Sequence, residues 1–543
     1  MTDAHLEDAP APEEAPRLGR TTALMTAGTV VSRVTGVLRL GLLTWTLGVA
    51  ETRMTDTYNL ANSAPNVLYE LVLGGVITAV FVPIFVELAD SRRDGSRDIS
   101  AIVNVCLAGL TVLAVLGILA APLIARFYST SLTGAEAAAQ QRAITTLLWF
   151  FLPQIPLYGV YFLGSAFMNV RKKFVLPMWT PIVNNLVLIV VLLVFAALYD
   201  KVDLQSVTTA QLALLGLGTT ASVAPMGLML LPSLRRLGYR WEWRFDRALW
   251  RRVARLSGYA IGFVAANQIG FLAVQKIANE SQGAFTAYTA AFTFFLLPVG
   301  LFVWSITTAL APSLSRTALK PQREGMSDVL SLAIRSTLFL VVPCAAGLLV
   351  LARPVVEMML EHGVVTARST DLVVGVLSFL VLGLAQFSVF QVLMRASYAM
   401  QDARSPFLVN AVVIAVNITL NVLMFTWIGP EGLAAGHAVA YTLAVVLQGR
   451  VVVRELPDLD MGRIGRSAAK VVAAAGGMAL IVLGLWRLLD GLVGGGPGLA
   501  AGVVGLTGVG AAAYLWLSSL LRVEEMEFVR GLVGDRFRRA RPC

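Results

Sequence analysis

Charge is what this sequence has least of. Only 14% of its 543 residues are Asp, Glu, Lys or Arg, where a soluble domain carries about 25%. A chain so poor in charge cannot cover a water-soluble surface. With 57% hydrophobic residues and a mean hydropathy of +0.73, it belongs in a bilayer. Its apolar runs are about 20 residues long and not alternating, so the spans read as helices and a barrel is excluded. Cysteine is scarce as well. Cys106 and Cys344 lie inside apolar segments, and Cys543 is the last residue, with no prenylation box before it. Such thiols form no disulfide framework and read as free and inert. The three histidines, His5, His362 and His437, are scattered, no metal-ligand spacing occurs, and no Walker loop is present. The sequence predicts no enzyme, no cofactor and no metal. Transport, if that is the task, is left to a gradient, a potential or passive movement. The opening stretch also lacks the basic region of a signal peptide. Residues 1–20 are acidic and rich in Ala and Pro, which predicts a disordered cytoplasmic tail.

What is present is a long series of apolar segments. They fall at about 22–47, 57–88, 100–127, 143–169, 175–199, 210–233, 250–278, 285–315, 327–351, 370–400, 406–428, 433–453, 466–489 and 498–521. The fold class is an all-α polytopic membrane protein with about 14 transmembrane helices. Arginine and lysine follow the even-numbered spans, as in Arg92, Arg93 and Arg97, then Arg171, Lys172 and Lys173, then Arg235 to Arg247. The odd-numbered loops are nearly free of them, Arg53, Lys201 and Arg353 excepted. Basic loops face the cytoplasm, so both termini are placed there. The same asymmetry explains the net charge of +10, and no nucleic-acid partner is expected. The longest charged stretch, Arg235–Arg255, interleaves Trp241, Trp243, Phe245, Leu249 and Trp250 with arginines. It reads either as an amphipathic segment on the inner membrane surface or as a plain basic loop.

The chain repeats itself. Ile77 to Phe85 in span two matches Ile306 to Leu314 in span eight, and Ala166 to Pro177 matches Ser397 to Pro406. The offsets are 229 for Pro83 and Pro312, 233 for Pro65 and Pro298, and 229 for Pro177 and Pro406. A shift of six spans keeps orientation, so two parallel six-helix repeats are followed by two extra C-terminal helices. The expected organisation is a tail at 1–20, a bundle at 21–234, an amphipathic linker at 235–249 and a second bundle at 250–456. Two further spans fall at 457–522 and a basic cytoplasmic tail at 523–543.

Ionisable side chains inside spans are costly, about 2.5–3.5 kcal/mol for a central Arg on insertion scales, so each is a functional candidate. Arg33 and Arg39 lie in span one within about 120° of one another around a helix. They read as an anion site with donors suited to phosphate oxygens, or as partners of Asp56 or Glu70, or as snorkelling side chains. Asp56 and Glu70 are candidates for gating or ion pairing. Asp56 also fits a helix-start carboxylate, and Glu70 an interior proton site. Span two further holds Asn59, Asn62, Pro65, Asn66 and the pair Gly74-Gly75, and so reads as a bent or broken helix with Asn62 and Asn66 on the substrate side. Asn184 and Asn185 fit either a cavity lining or a link between helices.

Ser32-Arg33-Val-Thr-Gly36-Val-Leu-Arg39, followed by Thr55 to Phe85, resembles the MurJ/MviN family of lipid II flippases within the MOP exporter superfamily. The stretch ending Ser305-Ile-Thr-Thr-Ala-Leu-Ala-Pro312-Ser-Leu-Ser-Arg316 resembles that family's eighth span. The likeness covers almost the whole chain after residue 20. Leu40, Tyr69-Glu70 and Phe292 to Phe294 depart from the family pattern, which marks a divergent member. The resemblance implies a multi-pass protein of the bacterial cell membrane that serves peptidoglycan synthesis and cell shape. It implies alternating access, with lipid-linked pyrophosphate held by Arg33 and Arg39. It implies membrane lipids and cell-wall synthesis proteins as partners, and it makes Lys276 and Arg395 candidate cavity cations. The alternatives are a flippase for another lipid-linked glycan and a MATE-like cation-coupled drug exporter.

Overall fold

The computed structural model describes residues 14–71, 85, 87, 95–171, 173, 175–200, 202–244, 247–489 and 496–526. Gly74, Gly75, Pro83, Arg92, Arg93, Lys172, Lys201, Phe245 and the tail after 526 lie outside the described residues. So do the side chains of Leu249 and Trp250. Among the described residues the regular structure is helical, as a bilayer requires when backbone groups find no water to bond.

The helices are α1 (Glu14–Leu47), α2 (Met54–Tyr69), α3 (Gly95–Tyr128), α4 (Gly134–Phe151), α5 (Gln154–Val170), α6 (Val175–Leu198), α7 (Thr209–Leu228), α8 (Leu231–Arg236) and α9 (Arg247–Ala278). They continue as α10 (Ala284–Pro298), α11 (Trp304–Ala318), α12 (Met326–Val350), α13 (Ala352–Leu360), α14 (Ala367–Leu382), α15 (Leu384–Ala399), α16 (Arg404–Ile428), α17 (Glu431–Glu455), α18 (Met461–Leu489) and α19 (Pro497–Leu520). Twelve stretches are long and apolar enough to span a membrane, and the pair α14–α15, bent by 46°, makes another span. The rest of span two as read from the sequence, after Leu71, lies outside the described residues apart from positions 85 and 87. One difference lies at the start. The stretch expected to be a disordered tail turns helical at Glu14.

The chain divides into two compact units, 1–46 with 60–261 and 47–59 with 262–543. This differs from the expected division. The second unit starts inside α9, after the linker, and it claims 47–59 because Glu51 and Asp56 bond to it. In the first unit α7 packs on α4, α5 and α6, and α3 packs on α4 and α5. Its centre is apolar, with Ile144, Leu147, Leu148, Leu192, Phe195 and Leu215 fully buried. Thr208 and Gln211 start α7 with a reciprocal capping box. Within the stretch read as an amphipathic linker, α8 ends at Arg236 and residues 239–244 are non-helical.

In the second unit α16 and α17 form a close hairpin. A Cβ on Gly432 would meet the Met424 carbonyl carbon at 2.3 Å, and one on Gly436 would meet Asn421 Oδ1 at 2.3 Å. Small residues four apart let two membrane helices approach closely. Helices α18 and α19 pack on each other and on α12, where the Tyr514 hydroxyl donates to the Phe339 carbonyl at 2.7 Å.

Two local features echo the repeat. The Lys173 amide donates to the Met168 carbonyl at 2.9 Å, and the Asp402 amide to the Ser397 carbonyl at 2.9 Å. Both bonds close the C-terminus of a helix, and their residues are 229 apart in sequence. Likewise Pro65 precedes a π turn at Glu70–Leu71, and Pro298 precedes one at Val299–Val303.

Candidate functional site

In the first unit the site is built on α1. Asn185 of α6 donates to the Ser32 carbonyl at 3.2 Å and to Thr35 Oγ1 at 2.9 Å. Gly36 faces the same amide, with 3.8 Å of room where its Cβ would stand. Asn184 bonds the other way, accepting from Ser222 of α7 at 3.0 Å. The two asparagines therefore link helices: one locks α6 to α1, the other locks α6 to α7. Arg39 lies one heptad after Ser32 and so shares the face that α6 orients. Arg33 and Arg39 are both half-buried, and among the described residues Arg39 has no hydrogen bond or ion pair.

Asn62, Asn66 and Glu70 lie along one stripe of α2 and its π turn, at spacings of four residues. Asn62 and Asn66 are half-buried and Glu70 is exposed, so the stripe opens toward the π turn. The Asn66 amide donates to the Asn62 carbonyl at 3.3 Å.

Asp56 belongs to a different construction, inside the second unit. The sequence leaves it between a gate or ion pair and a carboxylate at a helix start. In the structure it is fully buried and its oxygens cap the N-terminus of α10. It accepts from the Gly283 amide at 2.6 Å, the Thr286 amide at 2.8 Å and the Thr286 hydroxyl at 2.6 Å. Asn59 donates to the same hydroxyl oxygen at 3.2 Å. Gly283 has φ +81°, and a Cβ there would meet the Ala50 Cα at 2.7 Å, so only glycine fits. Glu51 performs the same task at α14. It accepts from the Thr366 amide at 2.7 Å, the Thr366 hydroxyl at 2.8 Å, the Ser369 hydroxyl at 2.7 Å and the Val49 amide at 2.7 Å. Burial pushes the Glu51 carboxyl up, but the bonds from Ser369, Val49 and Thr366 outweigh it and hold the group below the usual carboxylate range. Residues 48–59 thus form a clasp that caps two helices at once. Arg53 adds a bond to the Asn279 carbonyl at 2.9 Å.

Lys276 and Arg395 are both exposed, Lys276 in the last turn of α9, where a cation suits the helix dipole, and Arg395 about a turn before the end of α15. Arg335 of α12 is a buried charge that the reading of the sequence passed over. Its Nη1 pairs with Glu524 and Glu525, each at 2.7 Å, beyond the end of α19. Arg463 reaches Glu524 at 2.7 Å, and Ser467 donates to Glu525 at 2.9 Å. Hydrogen bonding to Arg463 holds the Glu524 carboxyl low. His437 was equally unmarked. It is buried against Phe292, Phe295, Phe387 and Tyr441, an apolar box that no spacing in the sequence announces.

Alongside these charges, the second unit holds an apolar cavity of about 470 Å³ between α10, the π turn, α12, α18 and α19. Phe302, Phe339, Leu348, Met478 and Leu515 are among its walls.

Among the described residues, twelve helical stretches long and apolar enough to span a membrane, polar residues on helix faces and an apolar cavity beside the last two helices define a multi-pass membrane transporter. Residues 46–494 match the model of the family "Lipid II flippase MurJ", and the chain belongs to that family. Arg33 and Arg39 stand before the matched region. Longer matches include probable lipid II flippases of Vibrio cholerae serotype O1 and Rhizobium tropici. The first is 26% identical over 93% of this chain and 97% of its own length, the second 27% over 95% and 96%. Among solved structures, a lipid II flippase MurJ in an inward closed conformation superposes with a TM-score of 0.73. It is 21% identical and covers 94% of this chain and 100% of its own. An inward-facing multidrug resistance transporter of the MATE family reaches 0.60 at 12% identity, over 80% of this chain and 99% of its own. The MATE likeness is one of fold.

Proposed function

We propose that this chain moves lipid II, a polyprenyl-pyrophosphate-linked peptidoglycan precursor, from the inner to the outer leaflet of the cell membrane by alternating access. The observation that carries the reading is Arg39. It is a guanidinium on a membrane helix, half-buried, oriented by the Asn185 lock and without an ion pair among the described residues. Such a group is held ready for an anion, and planar donors suit phosphate oxygens. Arg33 is the second contact to phosphate. Asn62 and Asn66 supply neutral hydrogen bonds to the head group, and Glu70 tunes the charge at the open end of the stripe.

The apolar cavity beside α18 and α19 supports a place for the prenyl chain, which needs no polar partner. Moving one negative charge outward is favoured by about 2.3 kcal/mol per 100 mV, inside negative, so a potential is a sufficient drive. The basic loops after even-numbered spans support cytoplasmic termini. Bound substrate arrives from and departs to cell-wall synthesis proteins on the two sides.

The test is complementation. Cells depleted of their own lipid II flippase are supplied with this chain or with Arg39→Ala, and surface-exposed lipid II is counted. Wild type restores growth and export. An Arg39→Ala chain that restores both equally well, at equal expression, removes the anion site from the reading.

A further inference from the structure

The connection between α8 and α9 has no part in the transport reading, yet it is built with care. Residues 239–244 are strapped onto the first turns of α3. The Tyr239 hydroxyl donates to Asn104 Oδ1, and Asn104 Nδ2 donates to the Glu242 carbonyl at 2.7 Å. The Arg240 amide donates to Ser100 Oγ at 3.1 Å. Arg97 pairs with Glu242 at 3.3 Å, and Arg244 with Asp98 at 3.4 Å. Along the strap Glu242 turns in to Arg97 while Trp241 and Trp243 turn out. The two indoles meet edge to face, with ring centroids 5.7 Å apart, and are 68% and 59% exposed.

Two neighbouring tryptophans left this open on a fixed segment call for a covering surface. Their position says which. The strap's anchors at 97, 98 and 100 open the membrane span Arg97–Ser131, so the indoles lie at the mouth of a span, at headgroup level. Indoles favour that layer, where the ring is half in hydrocarbon and the N–H is wet. Charge says the rest. Glu242 of the strap and Asp98 of α3 are paired with Arg97 and Arg244, while Arg235, Arg236 and Arg240 are exposed and have no ion pair among the described residues.

We propose that Trp241 and Trp243, with Arg235, Arg236 and Arg240, form a docking surface for the headgroups of anionic phospholipids, a fixed anchor of the first unit at the membrane edge. The experiment uses the full chain reconstituted into vesicles of phosphatidylcholine mixed with phosphatidylglycerol, with a brominated acyl chain on one lipid at a time. The signal is the tryptophan emission of wild type minus that of the Trp241→Phe/Trp243→Phe variant, whose thermal melt should match wild type. Brominated phosphatidylglycerol is expected to quench this signal at least about twofold more than brominated phosphatidylcholine at low salt, with the preference fading near 1 M salt. Arg235→Gln/Arg236→Gln/Arg240→Gln should abolish the preference while leaving the quenching by phosphatidylcholine. Equal quenching by both lipids in wild type overturns the recognition of charge. A signal that only aqueous acrylamide quenches overturns the lipid surface altogether and points to a soluble partner.

Discussion

Arg39 in the first unit and Arg335 in the second are the same side chain, both on membrane helices, and they are housed in opposite ways. Arg39 is half-buried and its guanidinium meets no carboxylate among the described residues. Arg335 is buried and has two carboxylates within 2.7 Å. Asp56 sides with Arg335: three donors from α10 and the turn before it hold its carboxylate. A charge whose bonds are all made inside the protein has nothing left for a substrate. A charge held by packing alone keeps its bonding capacity. By that criterion the second unit uses its buried charges to fix helices, and Arg39 in the first unit keeps its bonding capacity.

This contrast can be broken by mutation, beginning with the largest change in stability. Arg335→Leu leaves Glu525 buried and unpaired and should cost about 3–5 kcal/mol, with most of it recovered in Arg335→Leu/Glu525→Leu. Thermal unfolding of the purified protein in detergent measures both. Asp56→Ala orphans the first amides of α10 and should cost about 2–3 kcal/mol, while Asp56→Asn, which keeps an acceptor, should lose less. An Asp56→Ala protein as stable as wild type would show that the clasp holds nothing.

Acid titration probes the other half of the clasp. Glu51 is held below the usual carboxylate range, so its contribution is complete above its unfolded pKa of about 4.3 and is lost as pH falls through the lower folded value. Below about pH 4 the wild-type unfolding midpoint should therefore fall more steeply than that of Glu51→Gln. Arg39→Ala stands at the far end of the series. It should change stability by under about 0.5 kcal/mol and yet reduce lipid II export at least tenfold. A large loss of stability there would place Arg39 with the structural charges.

The spans were legible because a membrane helix must write about 20 apolar residues in a row. The repeat was legible because proline positions survive as near-constant offsets, and the paired π turns and paired caps carry the same register. The task of Asp56 was not legible. Its partners are backbone amides 227 and 230 residues away, and an amide has no letter in the sequence. Arg335 was hidden for a similar reason, since its partner Glu525 lies 190 residues on, outside any span. Asn184 and Asn185 could be read two ways until α1 and α7 were seen on either side of them. The sequence marks where charge is costly, and only the fold tells whether that charge is already matched.

That spacing also sets a schedule for the newborn chain. α12 enters the membrane carrying Arg335, and the carboxylates that neutralise it are made only after seven more helices. At about 5–20 residues per second, a ribosome needs roughly 10–40 s to cover that distance. Throughout that interval the guanidinium has to rest on water, lipid headgroups or the insertion machinery. A chain that stops before Glu524 never resolves the debt, so full-length synthesis is itself a quality check on the second unit.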